Sequence, residues 1–154
     1  MGPDFNMKSV QAQWVLGMIL ADNLPDVAAE ALSAGIESKS LIELAGLSRS
    51  ETDEARKLFG QALIELDCQK MEKAEALGRY AKIVSTLILA SNVTPLEGAK
   101  RIWQATLKAE LKGFHDLDGF IYAASELEDR PKDTALFEKA IIEEAKSWSG
   151  FEYK

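Results

Sequence analysis

Residues 94–107 read TPLEGAKRIWQATL and contain the clearest helix start in the chain. Thr94 suits the N-cap, Pro95 suits the first helical position, and Glu97 completes a capping box with the threonine. Apolar residues recur with the helical period along one face: Leu96, Ala99, Trp103 and Leu107. The segment therefore predicts an amphipathic helix that packs on a core through that face.

The same helical period recurs along the rest of the chain, and no stretch alternates with the period of a β-strand. Cap and stop residues divide the chain into helices. The first three run from Ser9 to Asp22, from Pro25 to Gly35, and from Ser38 or Ser40 to Gly46, and a long helix follows the Ser48–Glu51 capping pair. The next run from Leu77 to Ile88, ended by Ser91-Asn92, and from Thr94 until Gly113 breaks the helix; the last two are 117–128, capped by Asp116 or Asp118, and Asp133 to Gly150. We expect an all-α fold, a single-domain compact bundle of seven to eight helices.

The length of 154 residues suits one domain, and 47% hydrophobic with 28% charged residues is typical of a globular protein. We assign residues 1–8 to an added leader and flexible start, 9–149 to a single helical domain and 150–154 to a polar tail. The longest apolar run, Trp14 to Ala21, has eight residues where a membrane span needs about 20. With no signal-peptide pattern, we expect a cytoplasmic protein without a membrane partner.

Few residues of the chain are suited to catalysis or metal binding. Cys68 is the lone cysteine and His115 the lone histidine, and no Glu-x-x-His pair, phosphate loop or nucleophile elbow occurs. We therefore expect no catalytic residue, no metal site and no cofactor. His115 is predicted to be an ordinary loop histidine, with a general-acid role as the alternative. The three tryptophans are predicted to be core residues: Trp14, Trp103 and Trp148.

Negative charge is concentrated in one part of the sequence. The chain has 25 acidic and 18 basic residues, a net charge of -7, which argues against a nucleic-acid partner. Residues 110–129 hold six of the acids against the single base Lys112. If the helix over 117–128 packs through its apolar residues (Phe120, Ile121, Ala124 and Leu127), the other side carries carboxylates and one tyrosine.

This other side of the helix is the candidate partner-binding surface. Its residues are Asp116, Asp118, Tyr122, Glu126, Glu128 and Asp129. Acidic groups around an aromatic anchor steer and hold a basic protein. The alternative is a solvated face that Arg130 and Lys132 partly neutralise.

Two parts of the chain resemble a group of small, largely uncharacterised bacterial all-helical proteins. The first is Leu24-Pro25-x-x-Ala28-x-x-Ala31-Leu32-x-x-Gly35-x-x-Ser38-x-Ser40-Leu41-x-x-Leu44-Ala45-Gly46-Leu47. The second is Pro95-x-Glu97-Gly98-Ala99-x-x-Ile102-Trp103 with Phe120-Ile121 and Ala124-Ser125-Glu126-x-Glu128-Asp129. These residues form helix-cap and core patterns, which do not indicate a particular reaction. Proteins of this kind are similar in size and charge to immunity proteins, which bind and block a cognate toxin such as a contact-delivered nuclease.

The resemblance implies a non-enzymatic binding protein that neutralises a basic partner, a toxin domain. The concentration of acidic residues predicts that residues 116–129 cover the partner's active-site surface. Two alternatives stay open at this point. One is a small hydrolase or metal-dependent enzyme that uses the acidic segment with His115. The other is a homodimeric structural adaptor with an apolar helix face as its interface.

Overall fold

The computed structural model describes residues 5–152, in which eight α-helices and two short 3-10 turns account for the regular structure. The helices are α1 Met7–Val15, α2 Leu24–Ser33, α3 Lys39–Ala45, α4 Thr52–Glu65, α5 Lys73–Leu89, α6 Pro95–Ala109, α7 Asp118–Asp129 and α8 Thr134–Ser149. The 3-10 turns span Ala21–Asn23 and Pro131–Asp133. No strand occurs among the described residues, so the predicted all-α class and the count of seven to eight helices are confirmed.

The helices divide between two compact units, one ending at Met71 and the other beginning at Glu72. The assignment of residues 9–149 to one domain stays a prediction. In the first unit, α2 packs on α3 and α3 packs on α4. Its core consists of apolar side chains that are almost fully buried, among them Leu24, Leu41, Leu44, Phe59 and Ala62.

The first helix differs from the prediction at both ends. It begins at Met7, where Asn6 accepts hydrogen bonds from two backbone amides of the first turn, and Met7 itself is buried. It ends at Val15 because Gly17 adopts a φ of +74°, and the Met18 amide then donates to the Gln13 carbonyl at 2.8 Å. This is the glycine C-terminal motif of a helix, so the expectation of one helix from Ser9 to Asp22 is wrong.

The start of the chain packs more than predicted. Phe5 lies against the core of the first unit, although residues 1–8 were expected to be a flexible start and residues 1–6 to have no structural role. Residues 1–4 of that expected leader lie outside the described residues, as do residues 153 and 154 of the expected polar tail.

Capping residues set most of the other helix starts. Ser38 caps α3 by accepting a hydrogen bond from the Leu41 amide, and Thr94 caps α6 by accepting one from the Glu97 amide. Two cap predictions are wrong. At α4 the Glu51 carboxylate accepts from the Ser48 amide, but the serine does not cap the helix. At α7 the N-cap is Leu117, so neither aspartate caps the helix.

The second unit is a ring of four helices. Helix α5 packs against α6 and α8, and α7 packs against α6 and α8. Lys73, at the start of α5, donates to the carbonyl of Ala109 at the end of α6, and Gly119, early in α7, lies against Glu144, late in α8. Helices α5 and α6 therefore run antiparallel, as do α7 and α8, and the starts of α5 and α7 lie at the same end as the late part of α8.

The buried face of α6 differs from the predicted one. The buried residues are Gly98, Ala99, Ile102, Ala105 and Ala109. Of the predicted stripe only Ala99 is buried, whereas Leu107 is 65% exposed. At Gly98 a Cβ would lie 2.5 Å from Ile88 Cδ1, so α5 and α6 approach closely through small residues of α6.

The three tryptophans, which were predicted to be core residues, are half-buried. Trp14 packs on the first unit's core through an edge contact with Phe59, their ring centroids 5.3 Å apart. Among the described residues, none of the helices combines the length and the apolar character needed to cross a membrane.

Candidate functional site

Helix α7 presents an acidic face to solvent. Asp118, Tyr122 and Asp129 are exposed and are spaced by four and seven residues, which places them on one side of a helix. We call these three residues the α7 acidic face. It extends roughly 16 Å along the helix, the rise of eleven residues. Tyr122 lies between the two aspartates with 62% of its surface exposed.

The opposite side of α7 fixes this orientation. Its buried residues, Phe120, Ala123, Ala124 and Leu127, face the rest of the second unit. Ile121 was expected among them but is only half-buried, and Ala123 is buried in its place. Because the apolar stripe anchors the helix, the acidic side is held outward.

Glu126 and Glu128 lie at the two borders of this face, and each forms an ion pair. Glu126 Oε2 lies 3.2 Å from Arg130 Nη1, and Glu128 Oε1 lies 2.6 Å from Lys100 Nζ. The hydrogen bond that Arg130 donates to Glu126 raises the pKa of Arg130, and the hydrogen bond that Lys100 donates to Glu128 raises the pKa of Lys100. Both cations therefore stay charged, and the expected six-residue surface loses part of its negative charge at these borders.

An aromatic contact supports the tyrosine of the α7 acidic face. The Tyr122 ring meets the buried Phe137 ring edge-on, with centroids 6.4 Å apart. The Arg130 guanidinium lies 5.7 Å from the centroid of the same phenylalanine. One edge of Tyr122 is thus packed while the rest of the side chain faces solvent, an arrangement typical of an interface anchor.

The loop before α7 holds Asp116 and His115, and both are exposed. His115 Nδ1 lies 3.0 Å from Asp118 Oδ2. The predicted loop position of the histidine is confirmed. Asp116 forms no ion pair with another described residue, and it lines a cleft described below.

The chemistry of this region follows from its own side chains. No family model, curated protein or solved structure matches the chain. Carboxylates and a phenol hydroxyl offer hydrogen-bond acceptors to a lysine- or arginine-rich surface. Within residues 5–152 no group of three or more His, Cys, Asp or Glu side chains is arranged to hold a metal ion.

Sequence reasoning missed a cleft of about 530 Å³ in the second unit. We call it the α5–α8 cleft. It is lined by the early part of α5, the loop before α7, and the late part of α8 with the residues that follow it: Ala74, Glu75, Gly78, Phe114, Asp116, Glu144, Ser147, Trp148 and Phe151. These residues come from three distant parts of the sequence, and of them only Asp116 was a predicted site residue.

A second polar cluster lies in the first unit, where Glu65 of α4 meets the start of α3. Its carboxylate accepts hydrogen bonds from the Ser38 hydroxyl at 2.6 Å, from the Ser40 amide at 3.0 Å and from the Ser40 hydroxyl. These bonds lower the pKa of Glu65 to about 2, the largest contribution coming from Ser38. All of the hydrogen bonds run between α4 and α3, so the cluster joins the two helices.

Proposed function

We propose that the protein is a non-enzymatic binding module of the cytoplasm, an immunity protein that binds and neutralises a basic bacterial toxin. The α7 acidic face carries this proposal. Two aspartates flank an exposed tyrosine on a helix that is anchored from behind by buried apolar residues. A rigid, exposed ring between negative charges suits a partner surface that is rich in lysine and arginine.

The electrostatics of the second unit agree with a role in protein recognition. Asp118 and Asp129 lie at opposite ends of α7 and so present two separate negative charges to a partner. Charges on an interface rim act mainly on the association rate, whereas a central aromatic residue acts on the dissociation rate. Asp116, in the loop before α7, adds a third carboxylate beside this surface.

The toxin partner is tested by capture followed by an activity assay. The purified protein is used as bait in a lysate of its source organism, and the retained proteins are eluted with rising salt. We expect one basic protein to be released by salt. Expressed alone it should arrest growth, and coexpression with this chain should restore growth. A retained protein that is harmless, or whose toxicity persists on coexpression, would contradict the proposal.

The surface is tested with charge reversal. Asp118→Lys with Asp129→Lys should slow association with the captured protein and weaken its salt dependence, while helicity is unchanged. Tyr122→Ala should speed dissociation. The matched control is Glu30→Lys with Glu37→Lys, which makes the same change in net charge at exposed positions of the first unit. Equal association rates for the two double variants would exclude the α7 acidic face as the binding surface.

A further inference from the structure

The α5–α8 cleft combines carboxylates with aromatic rings. Glu75, Asp116 and Glu144 contribute the carboxylates, and no lysine or arginine is among its described lining residues. Glu75 is held by Arg79, whose Nε lies 2.7 Å from Glu75 Oε2. Asp116 and Glu144 form no ion pair with another described residue. Among the described residues, the cleft therefore keeps two carboxylates without an ion-pair partner, and the nearby Lys82 ammonium is bonded to the Phe151 carbonyl instead.

The position of Glu144 is fixed by the neighbouring helix. Its Cδ lies 2.6 Å from where a Cβ of Gly119 would be, so the carboxyl group packs directly on the backbone of α7. Glu144 is half-buried, although it could extend into solvent from the surface of α8. This packing holds its charge at the wall of the cleft, where its attraction for a cation is stronger than in open water.

The aromatic side of the cleft is formed by α8 and the residues that follow it. The rings of Trp148 and Phe151 have centroids 5.8 Å apart and are tilted by 49° to one another. Lys82 of α5 donates to the Phe151 carbonyl at 2.6 Å and so fixes the backbone that carries this ring. Phe114, from the loop before α7, adds a third ring. Tilted aromatic faces attract organic cations through their negative quadrupole, tryptophan most strongly.

We propose that the α5–α8 cleft binds one organic cation, a guanidinium or alkylammonium group, between the carboxylates of Asp116 and Glu144 and the ring of Trp148. The volume of about 530 Å³ is in the range of small-molecule sites and far exceeds what a bare ion needs. The three carboxylates of the cleft do not form a metal-holding group. A planar guanidinium can stack on the indole while its N–H groups donate to both carboxylates.

The cation comes from an arginine or lysine side chain of the basic partner, and on this point alone the inference rests on the proposed function. Asp116 lies two residues before the α7 acidic face, so one partner surface can lie along α7 and insert a side chain into the cleft. The attraction of the cleft for the cation depends only on its own residues. A small probe therefore tests the cleft without the partner.

The experiment follows the indole N–H signals of the isotope-labelled protein during titration with N-acetylarginine amide. N-acetylcitrulline amide is the neutral control of the same shape. We expect the Trp148 signal to shift and saturate with the arginine probe only, while the signals of Trp14 and Trp103 stay constant. No Trp148 shift, or equal shifts with both probes, would overturn the proposal.

Matched variants locate the binding groups. Glu144→Gln and Asp116→Asn should each weaken the probe about fivefold, which corresponds to about 1 kcal/mol. Glu138→Gln makes the same charge change on α8 outside the cleft and should leave the affinity unchanged. Circular dichroism verifies that each variant is folded. Equal affinities for Glu144→Gln and Glu138→Gln in folded proteins would contradict the site.

The source of the cation is decided with a free guanidinium compound. n-Propylguanidinium carries the same group and the same single charge without the peptide groups of an arginine residue. An affinity for n-propylguanidinium no higher than that for N-acetylarginine amide supports a protein side chain as the source. n-Propylguanidinium binding ten times tighter would overturn that source and leave the cation site in place. If the toxin capture fails, the cleft can still bind the arginine probe. The immunity proposal and the cation-site proposal can therefore be refuted independently of one another.

Discussion

The carboxyl group of Glu144 occupies the space that a side chain at Gly119 would need. A Cβ at Gly119 would lie 2.6 Å from Glu144 Cδ and 2.7 Å from Oε1. Glycine at this position therefore lets a residue of α8 rest on the backbone of α7. Through this contact, a residue in the wall of the α5–α8 cleft packs on the helix that carries the α7 acidic face.

Gly119→Ala should displace the Glu144 carboxylate while the protein keeps its fold. The group in the way is the far end of a flexible side chain, and alanine favours the helix, so the free energy of unfolding should change by less than about 1 kcal/mol. Affinity of the cleft for N-acetylarginine amide should fall. The control is Gly119→Ala combined with Glu144→Gln, which should bind no more weakly than Glu144→Gln alone. Additive losses would show that the two residues act independently.

Gly98→Ala should destabilise the protein, whereas the same substitution at a glycine with open space around it should not. The added methyl group would meet Ile88 at 2.5 and 2.6 Å and Val84 at 3.2 Å, all within the packed contact of α5 and α6. Overpacking outweighs the gain in helix propensity, and we expect a net loss of about 1–2 kcal/mol in the free energy of unfolding. Gly60 lies in α4, and apart from the adjoining backbone of its own helix no atom lies within 4 Å of its Cβ position, so Gly60→Ala should gain about 0.5–1 kcal/mol. Urea titration measures both, and a stabilised Gly98→Ala would contradict the packing.

Local signals explain which parts of the fold are readable from the sequence. The start of α6 follows from Thr94, and that of α3 is narrowed to Ser38 or Ser40, of which Ser38 is the cap, because a cap depends on atoms within a few residues. The same reasoning failed at Gly17, where an apolar run on both sides hid the end of α1. It failed again on α6, since counting large apolar residues favours Trp103 and Leu107 over the small residues that allow close helix contact.

The candidate sites divide in the same way. The exposed side of α7 is readable because Asp118, Tyr122 and Asp129 share a helical period with their buried neighbours. The ion pair of Glu128 with Lys100 of α6 is not readable, because it depends on which helix packs beside α7. The α5–α8 cleft is hidden for the same reason, since its walls come from three distant parts of the second unit's sequence.

Ser85→Ala should stabilise the protein. Ser85 is fully buried, and its hydroxyl has no hydrogen-bond partner among the described residues. Removing an unsatisfied buried group should raise the free energy of unfolding by about 1 kcal/mol. The matched variant is Ser40→Ala, which removes an equally buried hydroxyl that donates to Glu65 and should destabilise. The two variants should thus differ in sign in a denaturant titration, and a loss of stability for Ser85→Ala would refute the assignment of its hydroxyl as unsatisfied.

Glu65→Gln should lower stability in a way that depends on pH. The pKa of this carboxyl is about 2 in the folded protein against an ordinary value of 4.5, because three donors from Ser38 and Ser40 favour its charged form. A carboxyl group whose pKa is lower in the folded than in the unfolded state stabilises the fold. This stabilisation is complete when the pH is above the unfolded-state pKa, and it is lost as the pH falls through the folded-state pKa. The difference in unfolding free energy between the wild type and Glu65→Gln should therefore be constant above about pH 5 and shrink steadily as pH falls from 4.5 towards 2.

Glu43→Gln, at an exposed position of α3, serves as the control and should show no such change over the same range. Urea unfolding at closely spaced pH values measures this, and a Glu65→Gln difference that does not vary with pH would show that the three hydrogen bonds do not favour the charged carboxylate.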